Sequence, residues 1–482
     1  MSLKKQALSG IFWTGLQQIS SQIIIFIISV ILARILMPEE FGLIGMIAIF
    51  IAIGNALING GMASSLIRSG ELDEDDYTTV FYFNLIASVL IYLLVYLAAP
   101  YIAGFYNQPV LTKIIRVYSL VFIIQSFSII QETRLTKLMD FKTQMQINIP
   151  SLVIGGITGI IMALNHYGVW SLVGYKLVQA TVKVLYYWYK TRWYPHGKFI
   201  REKFKKHFTF GYKLTLSGLL NTVFNNLYLI IIGHYFSAAQ VGYYQRAKSL
   251  QSLPSQNLST IITKVTYPLF SQIKNNNQRL KEAFARMMKM ILFIIAPLMI
   301  LLGVLAEPLF RFLFTAKWLP AVPYFQILVI VGILYPLHSY NMNILKVKGR
   351  SDLFLKLEII KKILIVAVIA MVIPYGIYGL LYGSVVISLI SYFINTYYAG
   401  NLIHYKVPEQ IKDVIPIILL SLLAGIITFI WDYFLKNYLH YDFIRLLTGG
   451  LIFLAVYLVP AYYLKFESLY EIIHLLKQKL KS

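Results

Sequence analysis

Long apolar blocks, divided by short polar turns, run through the chain from Ser9 to Leu464. A hydrocarbon core about 30 Å thick takes about twenty helical residues to cross, and within it every backbone polar group must be satisfied inside the element. The blocks therefore predict about fourteen spanning helices, by length and hydropathy. The first six lie near 9–36, 40–67, 78–104, 112–134, 146–166 and 168–189. The next six lie near 208–235, 239–270, 284–304, 320–346, 353–374 and 376–403, and the last two near 411–435 and 442–464. The stretch Ile11 to Met37 is too long for a signal-peptide core and has no small-residue cleavage site after it, so it reads as a retained first helix. Between helices nine and ten, Phe310, Phe312, Leu313, Phe314 and Trp318 suit a short amphipathic helix at the interface. A short basic tail closes the chain with Lys477, Lys479 and Lys481.

The pattern repeats at an offset of about 200 residues. Arg34-Ile-Leu-Met-Pro-Glu-Glu-Phe-Gly42 follows the first helix, and His234-Tyr-Phe-Ser-Ala-Ala-Gln-Val-Gly242 follows the seventh. Tyr167-Gly-Val-Trp-Ser-Leu172 is echoed by Tyr375-Gly-Ile-Tyr-Gly-Leu380. An even number of helices per repeat gives both halves one orientation, related by an axis along the membrane normal. The expected fold is an all-α integral membrane protein: two six-helix bundles in parallel pseudo-repeat around a central cavity, plus two extra C-terminal helices. The expected divisions are an N-lobe over 1–190, a basic cytoplasmic linker over 191–207, and a C-lobe over 208–405. The last two helices occupy 406–465 and a cytoplasmic tail 466–482.

Composition agrees with this class. Of 482 residues, 58% are hydrophobic and 13% charged, whereas a soluble domain carries about a quarter charged residues. The absence of cysteine excludes disulfides, thiolate metal sites and cysteine nucleophiles. A formal charge of +23 would suggest nucleic acid in a soluble protein. Here the basic residues gather in alternate loops: Lys4 and Lys5; Lys190, Arg192, Lys198, Arg201, Lys203, Lys205 and Lys206; Lys274, Arg279, Lys281 and Arg286; Lys346, Lys348 and Arg350. That is the positive-inside pattern, which puts both termini in the cytoplasm and removes the need for a nucleic-acid partner. The acidic run Glu71, Asp73, Glu74, Asp75 and Asp76 falls on the same side, but acids weigh little in this rule.

No enzyme signature is present. There is no Gly-x-x-x-x-Gly-Lys phosphate loop and no histidine pair at metal-ligand spacing, so neither a metal nor a cofactor is expected. The informative residues are polar ones inside the helices. Lys176, Gln179 and Lys183 share one face of the sixth helix. Lys176 lies about eight residues into it, roughly 12 Å deep. An ammonium at that depth costs a few kcal/mol unless solvated or paired. Two readings are open: an anion site lining a central cavity, or Lys183 snorkelling to the interface while Lys176 pairs with a distant helix. On the eighth helix, Arg246 is expected to face the cavity and Lys248 to lie aside, because residues two apart do not share a face. Gln17, Gln18 and Ser21 on the first helix, Asn55 and Asn59 on the second, and Ser217, Asn221 and Asn225 on the seventh form polar stripes. Such stripes suit sugar hydroxyls or glue helices together. Of the acids, Glu132 and Glu358 sit near helix ends, and no central carboxylate suggests a cation site, which biases the cavity toward anions.

Phe41-Gly-Leu, with Asn59-Gly-Gly-Met-Ala-Ser-Ser-Leu-Ile-Arg68, resembles the first two helices of bacterial polysaccharide exporters. Val241-Gly-Tyr-Tyr-Gln-Arg-Ala-Lys-Ser-Leu250, Leu253-Pro254, Tyr267-Pro-Leu-Phe270 and Thr315-Ala-Lys-Trp-Leu-Pro-Ala-Val-Pro323 extend the resemblance over most of the chain. The family is the polysaccharide transporter or O-antigen flippase branch of the multidrug/oligosaccharidyl-lipid/polysaccharide superfamily. The resemblance implies a two-lobed bundle in the bacterial inner membrane and an undecaprenyl-pyrophosphate-linked oligosaccharide flipped outward by alternating access. Arg34, Lys176, Lys183 and Arg246 would then attract the pyrophosphate, and Gln18, Asn55, Asn59, Asn221 and Asn225 the sugar. By analogy with related lipid II flippases, helices thirteen and fourteen would hold the lipid tail. Membrane lipids surround such a protein, a polysaccharide polymerase and glycosyltransferases are its expected partners, a monomer is its expected state, and a coupling ion (H+ or Na+) is left open. Two other functions are alternatives: a cation-coupled multidrug or small-molecule exporter, against which the scarce central acids count, and a membrane glycosyl polymerase or ligase, which needs a large periplasmic loop.

Overall fold

The computed structural model describes residues 3–59, 61–438 and 441–481, and among them it contains helices and turns but no strand. The chain forms two compact units, Met1–Gly242 and Tyr243–Ser482. The first holds α1 (Leu3–Ile35), α2 (Pro38–Asn59), α3 (Met62–Arg68), α4 (Glu74–Phe105), α5 (Val110–Tyr118), α6 (Leu120–Ser126), α7 (Ile129–Lys137), α8 (Phe141–Leu164), α9 (Trp170–Thr191) and α10 (Arg201–Tyr235). Next comes α11 (Ala238–Ile273), whose first turn still belongs to that unit. The second unit continues with α12 (Asn277–Val304), α13 (Ala306–Phe314), α14 (Val322–Val347), α15 (Ser351–Val372), α16 (Gly376–Ile403), α17 (Val407–Lys436), α18 (Asp442–Tyr463) and α19 (Glu467–Lys481).

Among the described residues, ten stretches are long and apolar enough to cross a bilayer, one of them, Ser351–Ile403, holding both α15 and α16. A bent pair over 110–137 makes an eleventh. Neither α9 nor α11 is among the ten. Lys176, Lys183 and Lys190 interrupt α9, and α11 is rich in Ser, Gln and Thr.

Two predicted helices are broken. The stretch 40–67 divides into α2 and α3 at Gly61, whose φ is +65°. A Cβ there would lie 2.4 Å from the Gly211 carbonyl oxygen of α10, so both the turn and the close approach require glycine. The stretch 112–134 is three pieces, with a 44° bend between the segments 110–126 and 129–137. Hydroxyls account for it: Ser119 donates to Arg116 O, Ser126 to Ile123 O and Ser128 to Gln125 O. These side chains compete with the helical ladder at each break. The basic tail is also helical, as α19, and is tied to α12 by Lys289–Glu467 and Arg286–Glu471 pairs. The interfacial helix expected before the tenth span is α13, followed by a 3-10 turn over Ala316–Ala321.

Positions 200 residues apart carry the same local device. Met37 N–H donates to Glu40 Oε2 (2.6 Å), and Ser237 N–H donates to Gln240 Oε1 (3.1 Å). Gly42 and Gly242 lie one turn later, where a Cβ would stand 1.7 Å from Ala238 O and 2.0 Å from Pro38 O respectively. The two helix starts thus meet backbone to backbone.

The segment 191–207 is bound to the start of α4. Trp193 Nε1 donates to Glu74 (2.7 Å), Lys198 N–H to Asp75 (2.7 Å) and Ile200 N–H to Thr79 (3.0 Å). Lys203 pairs with Asp73. Buried His207 joins Asp76 through Nε2 and Ser65 through Nδ1, each at 2.8 Å. Of the acidic run that opposed the charge asymmetry, Asp73, Asp75 and Asp76 are therefore countered by Lys203 of the basic segment, and Glu74 by Arg134 of α7. Lys203 and the Asp76 N–H hold the Asp73 carboxyl down to about 2. The compact first unit extends past this segment to include α10, which packs on α2, α3 and α4.

Candidate functional site

α9 carries the lysines of interest, and α8 sets its position. A Cβ at Gly155 would lie 2.7 Å from Gln179 Cβ, and one at Gly159 2.8 Å from Tyr175 Cβ. Small residues at this i, i+4 spacing let the two helices approach closely. Tyr175 then packs with Ile28, Leu32, Leu36, Ala163 and Leu172. Lys176 stays half-buried, its Nζ 3.4 Å from Gln179 Oε1 and 4.6 Å from the centre of the Tyr175 ring. No carboxylate among the described residues pairs with it.

Two turns further on, Lys183 differs from expectation. Its Nζ donates to Glu132 Oε2 at 2.8 Å, so a carboxylate reaches it from α7. The spacing along α9 could not reveal this, because the partner lies 51 positions away on the far side of the bend. Asn55, Gln125, Ser128, Thr133 and Thr136 surround the pair and line a cavity of about 350 Å3. Thr133 and Thr136 donate to the carbonyls of Ile129 and Glu132, and Gln144 of α8 donates to Thr136. The amides of Asn55 and Gln125 have no protein hydrogen bond among the described residues and face the same space. Of these residues, sequence reasoning singled out Asn55 and Lys183. The serines beside the bend were the available signal for the others.

The remaining predicted residues do not join this cavity. Arg34 is exposed in the last turn of α1, where a cation also suits the helix dipole. Gln18 is exposed on α1, and Asn221 and Asn225 on α10. Asn59 ends α2, and its side chain lies outside the described residues. Arg246 is buried, not open as expected: its guanidinium carbon lies 4.9 Å from the Phe314 ring centre and 5.1 Å from that of Trp318. The aromatic residues read as membrane anchors thus also form an apolar box for a cation, a stabilising arrangement. Lys248 is the more open of the two and lies over Tyr244.

Within the first unit this is a polar, partly ionic cavity that suits an anionic or hydroxyl-rich ligand. It carries no nucleophile–base pair. Residues 31–323 match a protein family described as polysaccharide biosynthesis protein. The chain is 29% identical over 354 residues to the teichuronic acid biosynthesis protein TuaB of Bacillus subtilis, covering 73% of each. It is 25% identical over 403 residues to the lipopolysaccharide biosynthesis protein WzxC of Escherichia coli, covering 82% of each. Among solved structures, it resembles the lipid II flippase MurJ in an inward closed conformation, with a TM-score of 0.73, 16% identity, and coverage of 94% of this chain and 99% of that one. An inward-facing multidrug resistance MATE transporter of the MOP superfamily gives a TM-score of 0.60 at 16% identity, over 79% of this chain and 95% of that one. The fold is therefore that of the MurJ and MATE proteins.

Proposed function

Because the chain belongs to the polysaccharide biosynthesis protein family, we propose that it is a transporter rather than an enzyme. Its cargo is an undecaprenyl-pyrophosphate-linked oligosaccharide, the repeat unit of an O-antigen, capsule or exopolysaccharide. The protein moves this lipid from the cytoplasmic to the periplasmic leaflet of the bacterial inner membrane by alternating access, as a monomer with both termini in the cytoplasm. A polymerase and glycosyltransferases work beside it.

The observation that carries the proposal is Lys176, an ammonium that meets an amide and a ring but no carboxylate among the described residues. Held there without a counter-charge, it costs stability unless a ligand supplies one. A lysine about 4 Å from a phosphate gains about 4 kcal/mol at an effective dielectric near 20. A hydrogen bond from an amide to a sugar hydroxyl gives about 1 kcal/mol net. Lys176 and Lys183 thus dominate affinity, while the Asn55 amide tunes selectivity.

A deletion strain should accumulate lipid-linked oligosaccharide on the cytoplasmic side. Restoring Lys176→Gln at matched membrane abundance should leave surface polysaccharide at about a tenth of the native level or lower, for the loss of at least 1.4 kcal/mol of binding. Native export by that variant would remove the proposal.

A further inference from the structure

The Glu132–Lys183 pair sits in an unusual setting. It is inside a membrane bundle, yet it opens onto a cavity: the Lys183 side chain is 24% exposed and that of Glu132 40%. The cavity's volume, about 350 Å3, is that of a small ligand site. Its other free polar groups are neutral: the Asn55 and Gln125 amides, each with two N–H donors. An ion pair kept only for packing would have little use for a cavity and unfilled donors around it.

We propose that the Glu132 carboxylate occupies the place of a ligand phosphate, and that a diphosphate headgroup enters this cavity by taking Lys183 from it. One carboxylate oxygen of Glu132, Oε2, now accepts from the Lys183 ammonium at 2.8 Å, as a phosphate oxygen would. A phosphate set there also reaches the Asn55 and Gln125 N–H groups, which a carboxylate fixed on α7 does not. When the headgroup leaves, Glu132 returns to Lys183, so the emptied cavity never holds a bare ammonium. The pair thereby limits affinity and favours release, which a carrier needs at the end of each cycle. Short α7 is suited to the movement, because it is separated from α6 by the bend at Ser126–Ser128. This inference rests on the transport reading for the identity of the ligand.

The test is binding of a short-chain polyprenyl diphosphate to the full-length protein in lipid nanodiscs, by titration calorimetry. A partly exposed ion pair competes with a strength of about 1 kcal/mol, so Glu132→Gln should bind the probe about fivefold tighter than the native chain. Lys183→Gln should bind it at least fivefold more weakly, and adding Glu132→Gln to it should change nothing further. Glu132→Asp keeps the charge but shortens its reach, and should tighten binding by a smaller factor; it serves if Glu132→Gln does not fold. Unchanged or weaker binding by a folded Glu132 variant overturns the exchange. If binding then still depends on Lys176, the transport reading stands without it. No binding by the native chain and Glu132→Gln alike removes both.

Discussion

At the scale of single residues, charge decides what is informative, and the structure shows three fates for a charge in this chain. Lys176 has no carboxylate among the described residues, Lys183 has one in a cavity, and Arg445 has one in a packed setting. Arg445 is 3% exposed and meets Asp432 with two hydrogen bonds, of 2.9 and 2.7 Å, with Asp442 3.3 Å away. The pair was not legible in the sequence, because its members lie 13 positions apart on separate helices and become neighbours only when α17 and α18 fold back on each other. Removing one partner of a buried pair leaves an uncompensated charge, at a cost of about 3 kcal/mol. Asp432→Ala should therefore lower the thermal unfolding midpoint in detergent by several degrees. Asp432→Ala with Arg445→Met should recover most of that loss, and failure to recover would show that the geometry of the pair, and not its charge, matters.

At the scale of elements, hydropathy predicts helices well and their interruptions poorly. The apolar stretch 112–134 is continuous in hydropathy, yet Ser119, Ser126 and Ser128 break it by bonding to carbonyls three residues back. That break places Glu132 beside Lys183, so the missed bend and the missed ion pair share one cause. The latch between 71–76 and 191–207 was hidden differently, since both runs read as solvated charge. Asp73 titrates at about 2, below its ordinary 3.8, mainly because Lys203 holds its charged form. A depressed carboxylate contributes above its unfolded value and is lost only as pH falls through the folded one. The Asp73–Lys203 pair should therefore be flat with pH from neutral down to about 5 and be weakened by salt instead. Amide exchange of 71–76 should rise about two- to fivefold in Lys203→Gln, the range of an exposed pair. Hydrogen exchange followed by mass spectrometry at two pH values and two ionic strengths reads both effects.

At the scale of the whole molecule, class was legible because a bilayer permits few solutions, and the family resemblance was legible because its motifs keep their order along the chain. The helix starts near Gly42 and Gly242 were marked by sequence alone and share a capping bond. The fate of Arg246 was not, because burial among rings drawn from α13 and the turn after it depends on how separate elements meet. Orientation is the molecular property that transport direction depends on, and the absence of cysteine makes it directly measurable. Single cysteines at the exposed positions Lys198 and Asn275 lie in basic loops, one in each compact unit. Those at Asn107 and Asn165 lie in opposite, nearly neutral loops of the first unit. The positive-inside rule puts the first two in the cytoplasm and the second two outside. A membrane-impermeant maleimide added to intact spheroplasts should label positions 107 and 165 strongly, and 198 and 275 only after permeabilisation. Labelling of 198 and 275 from the same side also requires an even number of crossings between them, as a parallel repeat does. If they label from opposite sides, the number of crossings between them is odd, and the parallel repeat loses its basis.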